Sequence, residues 1–297
     1  MRVIRSQLTD THPDYPALSA LRGEIAARAG GLDALTARFP ELVRDAVDFV
    51  LDPVRTARTR LHELDNVEKT FIGLKLEHFV RDLLDVPKGL RDLEINGMDV
   101  DIKNTVGSNW SIPQETYRGS EPCLLMAVDE VAHLCFLGLI IAKPEYLHGG
   151  AGNRDTKKGV SATGFANILW LVNSAAFRPS RFNGLNMDRF RELRKTLAGS
   201  ERVAQFCREN LRRVVHRDVM QALLFDQYDY MKRLRANGGA PDILYREKIA
   251  ILIGTYVNDR VVAARLDFPD LKRDEVVAVT PRSMVEEAMM RKEGLIA

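Results

Sequence analysis

A chain of 297 residues, 45% hydrophobic and 28% charged, has the profile of a globular protein with room for more than one core. No apolar run nears the roughly 20 residues of a membrane span, and the N-terminal hydrophobic residues are too scattered for a signal peptide. Cys123, Cys135 and Cys207 lack metal-ligand spacing and are odd in number, which argues against a disulfide framework or a zinc site and for a reducing, cytoplasmic setting. The net charge of +2 hides an asymmetry. Residues 1–153 carry 17 Lys/Arg against 23 Asp/Glu, whereas residues 154–297 carry 26 against 18, so the second half suits a polyanion such as nucleic acid.

Taken in order, Ala17–Ala29 and Leu32–Phe49 show apolar residues at helical spacing, separated by Gly30-Gly31; Pro40 is expected to break the second helix. Asp52-Pro53 marks a boundary, and Arg55, Arg58 and Arg60 form a solvated cluster or a phosphate contact. Glu68–Leu84 is an amphipathic helix with Glu77 embedded in its apolar part, where a carboxylate needs a partner. His78 has no second histidine at ligand spacing and reads as a surface residue. A loop over Val86–Leu90 leads to a short strand, Asp92–Ile95. Asn96-Gly97 is the strongest hairpin signal in the chain.

The hairpin delivers the strand Met98–Asn104, in which Met98, Val100 and Ile102 alternate with Asp99, Asp101 and Lys103. Such a row commonly forms only a local ion pair on a wet face. With Glu77 on the preceding helix and Asp92 before the turn, however, it is equipped for metal-assisted phosphodiester hydrolysis. Asp101, Asp92, Glu77 and the carbonyl of Ile102 are candidate Mg2+ ligands, and Lys103 would orient water and stabilise transition-state charge. Glu94 and Asp99 are rivals for the acidic places. The loop at Val106–Pro113 follows, where Asn109, Trp110 and, further on, Arg118 are candidate base readers; Trp110 equally suits a core. Pro122–Asp129 and His133–Ile141 read as buried strands, which makes the first half an α/β core.

His148–Gly159 is a polar, glycine-rich segment near a boundary, either a linker or a loop on DNA in which Lys157 and Lys158 would touch phosphate. A helical stretch through Trp170 is expected, then basic helices over Arg189–Leu197 and Glu201–Val214. Short helices at Arg217–Phe225 and Gln227–Arg235 have the look of a helix-turn-helix, with Arg217, Tyr228, Lys232, Arg233 and Arg235 as DNA contacts. Strands at Ile249–Ile253 and Glu275–Val279 flank a helix near Asn258–Leu266.

The runs Glu68-Lys-Thr-Phe-Ile-Gly-Leu-Lys-Leu-Glu77, Gly97-Met-Asp-Val-Asp-Ile-Lys-Asn-Thr105, Gly107-Ser-Asn-Trp-Ser-Ile-Pro113, Ala142-Lys-Pro-Glu-Tyr-Leu147 and Met231-Lys-Arg-Leu-Arg-Ala-Asn-Gly-Gly239 together resemble the NaeI family of type II (IIE) restriction endonucleases. The resemblance implies an α/β (α+β) fold, with an endonuclease domain of PD-(D/E)xK type over 1–168 and a DNA-binding domain with a catabolite-activator-protein-like helix-turn-helix over 169–297. It further implies a Mg2+-dependent homodimer that cuts palindromic double-stranded DNA and binds a second DNA copy as allosteric effector. The family's acidic helix residue falls on Glu77, its Asp-x-Lys pair on Asp101 and Lys103, and its preceding acid on Asp92, with Glu94 still open; no proline precedes that aspartate here. Two other readings stand beside it: a DNA-binding regulator without activity, and a strand-nicking repair nuclease on the same fold.

Overall fold

The computed structural model describes residues 7–150 and 152–297. In chain order it contains α1 (Tyr15–Arg28), α2 (Leu32–Leu51), α3 (Pro53–Thr56), α4 (Asn66–Leu84), β1 (Leu93–Ile95), β2 (Met98–Thr105), β3 (Ser111–Ile112), α5 (Gln114–Arg118), β4 (Pro122–Asp129), β5 (Leu134–Ile141), β6 (Lys158–Gly159), α6 (Ala162–Ala166) and β7 (Leu169–Ala176). There follow α7 (Met187–Thr196), α8 (Gly199–Glu209), β8 (Val214–His216), α9 (Arg217–Leu223), α10 (Ala240–Leu244), β9 (Ala250–Ile253), α11 (Val257–Arg265), β10 (Glu275–Val279) and α12 (Met284–Lys292). The chain divides into two compact units, one of residues 1–51 and 60–179, the other of residues 52–59 and 180–297. No helix among the described residues is long and apolar enough to cross a membrane.

The first unit is built on a mixed five-stranded sheet in the order β1-β2-β4-β5-β7. The β1–β2, β4–β5 and β5–β7 pairs are antiparallel, and β2–β4 is parallel. Both faces are covered, which explains the nearly charge-free β4 and β5. Leu124, Met126 and Val128 pack with α1, α2 and α4, whereas Cys123, Leu125 and Ala127 pack beneath Trp110, Ile112, Tyr117 and Trp170. The hairpin turn has Asn96 and Gly97 both at positive φ, 52° and 72°, as the sequence pair demands.

Two expectations fail here. Pro40 lies inside α2 without ending it. The missing N–H costs about 3 kcal/mol, but Phe39, Val43, Ala46 and Val47 bury on either side of it and hold the helix together. The stretch through Trp170 is not helical: α6 stops at Ala166 and Trp170 sits in β7, opposite Gly138. Because β7 completes the first sheet, the first compact unit runs to Pro179.

In the second unit, β8, β10 and β9 form an antiparallel sheet in the order β8-β10-β9, with α9 and α10 inserted between β8 and β9. Val203, Phe206, Val219, Leu223, Leu234 and Leu244 build the core on one side, and Leu252, Val262, Leu266 and Val277 on the other. The expected helix over Gln227–Arg235 is absent. That segment is a five-residue 3-10 turn, Tyr230–Leu234, started by Asp229, whose side chain accepts from the Lys232 N–H; Arg235 is already extended. The side-chain cap offers the backbone a tight turn instead of a longer helix.

Candidate active site

The short length of β1 creates the site. It pairs with β2 only at Met98, Asp99 and Val100, so beyond Val100 the outer edge of β2 has no strand beside it. The backbone of Ile102 faces this open edge. Its N–H donates to Asp92 Oδ2 at 2.6 Å, and its carbonyl accepts from Lys103 Nζ at 3.0 Å. Lys103 also donates to Asp101 Oδ1, while the other Asp101 oxygen accepts from Thr116 Oγ1 of α5 at 2.7 Å. Glu77, on α4, lines the same cleft as Ile102.

Asp101 is 3% exposed, so the expectation of a wet face fails at this residue. The covering of that face by α5 and its neighbours puts the carboxylate in the interior, where Lys103 and Thr116 compensate its burial. Burial also raises the pKa of its neighbours. Asp92 is pushed up to about 6, by burial first and then by the adjacent Asp101 and Glu77 carboxyls; the Ile102 N–H pulls the other way. Glu77 is raised by burial, opposed by Arg81 and Lys103. Crowded carboxyls that resist ionisation are the electrostatic signature of a place prepared for a cation.

The rivals lie outside this group. Both oxygens of Asp99 accept from the Arg91 N–H at 2.9 Å, and Glu94 is exposed on β1. His78 is exposed. Trp110 is a core residue, 1% exposed, with its Nε1 donating to the Met126 carbonyl at 2.7 Å. Asn109 is consumed by structure: its Oδ1 accepts from the Trp110 and Val160 N–H groups and its Nδ2 donates to the Val160 carbonyl. Arg118 is exposed at the end of α5.

The donor set suits Mg2+ better than a cation that demands an all-protein cage. Among the described residues no three His, Cys, Asp or Glu side chains converge closely enough to enclose a metal. Two carboxyls and one carbonyl do converge, and Mg2+ normally takes one or two carboxylates and leaves its other positions to water and phosphate. The Lys103 ammonium already rests on two of these oxygens, Asp101 Oδ1 and the Ile102 carbonyl, as a positive charge would.

Comparison with known proteins shows the family. The family model described as "Restriction endonuclease NaeI" matches residues 24–289. The chain belongs to the NaeI family of restriction endonucleases. A curated relative, "Type II restriction enzyme NaeI" of Lentzea aerocolonigenes, is 29% identical over 269 residues, covering 86% of this chain and 81% of the relative. NaeI-family membership makes the chain a restriction endonuclease, a site-specific deoxyribonuclease.

Sequence reasoning missed Thr116, whose only local signal is a short polar helix after Pro113. It also missed the Arg91–Glu121 pair at 2.8 and 3.0 Å, which fastens the loop before β1 to the start of β4. Of the expected DNA contacts, Lys157 is exposed in a loop built by Asn153, whose Oδ1 accepts from the Asp155 and Lys157 N–H groups. Lys158 is half-buried, its ammonium 5.5 Å from the Tyr117 ring centre. In the second unit Arg217, Tyr228, Lys232 and Arg235 are exposed, whereas Arg233 donates to Gln227 Oε1 at 3.0 Å.

The basic excess of this unit separates into two populations. Arg189 pairs with Glu209, Arg202 with Asp226, and Arg208 with Glu247; Arg194 donates to the carbonyls of Pro53, Val54 and Arg55, and Arg213 to those of Asn183 and Gly184. These hold the fold. Arg217, Lys232, Arg235, Arg246 and Arg273 are exposed and carry no ion pair among the described residues.

Proposed function

We propose that this NaeI-family enzyme is a Mg2+-dependent endonuclease that cuts both strands of a palindromic duplex as a homodimer in the cytoplasm, and that a second DNA copy bound through the second unit acts as effector. The observation that carries the catalytic reading is the convergence of Asp92, Asp101, the Ile102 carbonyl and Lys103 at the open edge of β2. Asp92, Asp101, Glu77 and the Ile102 carbonyl would hold Mg2+. Bound there, the ion supplies a Lewis acid for the scissile phosphate. Thr116 fixes the Asp101 carboxylate. Lys103, beside Asp101 and the Ile102 carbonyl, would orient the attacking water and meet charge growing on the phosphate oxygens. The arrangement uses no covalent nucleophile.

Two-fold symmetry of a homodimer matches a palindrome, with one site per strand. For the second unit we place the DNA-reading helix at α10 and its continuation Tyr245–Glu247, after α9, since residues 227–235 form no helix. In the second unit Arg217, Lys232, Arg235 and Arg246 are exposed cations that would meet phosphate, and Tyr228 is exposed as well; in the first unit Lys157 and Lys158 are separate candidate phosphate contacts.

The test is digestion of unmethylated phage DNA with Mg2+ and with EDTA, followed by electrophoresis and sequencing of the ends. Discrete double-strand fragments with Mg2+ alone support the reading, and stimulation by added short duplexes carrying the site supports the effector role. Single-strand nicks would favour the repair-nuclease reading. Bound but uncut DNA, even with added duplexes, would favour the regulator reading.

A further inference from the structure

A cleft of about 620 Å3 runs away from the site between α4 and the distal half of β2, and its lining has a direction. Asn66, Lys69, Thr70, Gly73 and Glu77 follow one another at helical spacing along one side of α4, and Asn104 to Gly107 face them. Glu77, at one end, is the only carboxylate in the lining. Lys69 stands two turns away, roughly 12 Å along the helix axis at 1.5 Å per residue. It is half-buried and carries no ion pair among the described residues. The end of α4 does not itself offer an anion site, because Asp65 and Glu68 cap it reciprocally. A cation in this cleft therefore acts through its own side chain.

The floor of the cleft carries a second unfilled group. Asn104 Oδ1 is buried and has no hydrogen-bond partner. Of the hydroxyls in the lining, Thr70 donates to the Val67 carbonyl and Thr105 accepts from the Gly107 N–H. At Gly73 α4 comes close to β2: a Cβ there would stand 3.1 Å from the Asn104 Cβ and 3.2 Å from its amide nitrogen, so the glycine lets the helix approach this side chain. A buried polar atom without a partner, in a cleft that begins at Glu77, is placed to meet a ligand.

We propose that this cleft holds the flank of the strand being cut, with Lys69 paired to a backbone phosphate two or three positions from the scissile one and the Asn104 carboxamide hydrogen-bonded to the nucleotide between. The inference deepens the nuclease reading and rests on it. A strand carries one phosphate per roughly 3.4 Å of duplex axis, so a 12 Å reach spans at most about three. Both residues are positioning groups, since neither touches the reacting atoms.

The experiment uses the full-length enzyme in single-turnover cutting of a short duplex that contains its site, titrated with enzyme. Lys69→Ala should raise the half-saturating concentration about tenfold, with a smaller fall in maximal rate, and lower the slope of log affinity against log salt by about one. Lys69→Arg should restore both. Replacing single phosphates with uncharged methylphosphonates should reproduce the loss in wild type at one position two or three phosphates from the cut, and Lys69→Ala should lose nothing further on that substrate. Asn104→Leu should weaken half-saturation likewise, its folding checked by its melting temperature; the Lys69 cycle stands whether or not that variant folds. A Lys69→Ala enzyme with wild-type half-saturation and salt slope, or with a methylphosphonate penalty at every position equal to that of wild type, overturns the inference alone. A wild-type protein that cuts no DNA overturns the nuclease reading and this inference together.

Discussion

If Asp92 is held ready for a cation, the protein without one should be strained by it, and Asp92→Asn should be more stable than wild type in EDTA. Burial and the neighbouring carboxyls raise its pKa from 3.8 to about 6. A raised carboxyl pKa means that the folded state binds the proton more tightly than the unfolded chain. The penalty is therefore absent below about pH 4, grows as pH rises through 6, and is full at pH 8. At about 1.4 kcal/mol per unit the shift corresponds to about 3 kcal/mol, and solvent reaching a half-buried group reduces this to roughly 1–2 kcal/mol. Asparagine keeps an oxygen for the Ile102 N–H and removes the charge. In a unit of this size 1 kcal/mol moves the melting temperature by about 2–4 °C, so Asp92→Asn should melt roughly 3–6 °C higher at pH 8. The assay is thermal denaturation of both proteins in EDTA from pH 4.5 to 8, repeated with saturating Mg2+. The difference should shrink toward acid pH. With Mg2+ the order should reverse, since the ion stabilises only the protein that binds it. Equal melting temperatures at pH 8 in EDTA, or a difference that ignores pH, would refute the reasoning.

Other expectations follow from the same geometry. Asp101→Asn should reduce cutting at least a thousandfold while electrophoretic mobility shifts show DNA still bound; cutting near the wild-type rate would remove Asp101 from the site. Lys103→Gln should lose most single-turnover rate with Mg2+ binding intact, measured calorimetrically. Thr116→Val should slow cutting about tenfold at unchanged half-saturation, because it frees one oxygen of a carboxylate it does not replace. In the second unit the two arginine populations should respond differently. Arg202→Ala should destabilise by about 1–3 kcal/mol, since it leaves the buried Leu223 carbonyl without its donor, whereas Arg246→Ala should leave the melting temperature within about 1 °C and weaken DNA binding in a salt-dependent way.

Much of the first unit was legible because its signals are local. The Asn-Gly turn and the alternation of Met98–Asn104 fix a hairpin, and the unbroken apolar runs of β4 and β5 announce strands covered on both faces. The same alternation could not say which face would be covered, and so Asp101 was expected in water when α5 encloses it. Nor could it separate Asp92 from Glu94, which differ only in where β1 begins and which of them reaches the Ile102 N–H. Trp170 misled because a short apolar run suits a helix or a strand equally until a sheet with a vacant edge claims it. In the second unit composition identified the excess of arginine but not its use. Pairing across 20 or more residues, as between Arg189 and Glu209 or Arg208 and Glu247, leaves no periodic trace. The basic run Met231–Arg235 looked helical because its local cap is decided by one aspartate, Asp229.

The abrupt end of β1 has a consequence apart from chemistry. A bare strand edge is an invitation to another chain, and proteins commonly blunt such edges with charge. Here Asp92 occupies the Ile102 N–H and Lys103 occupies its carbonyl, so two residues of the proposed site also stop the sheet from growing outward. Inactive forms made for binding studies are then best made with asparagine and glutamine. Alanine at both positions would silence the enzyme and, in the same stroke, uncover a template for self-association.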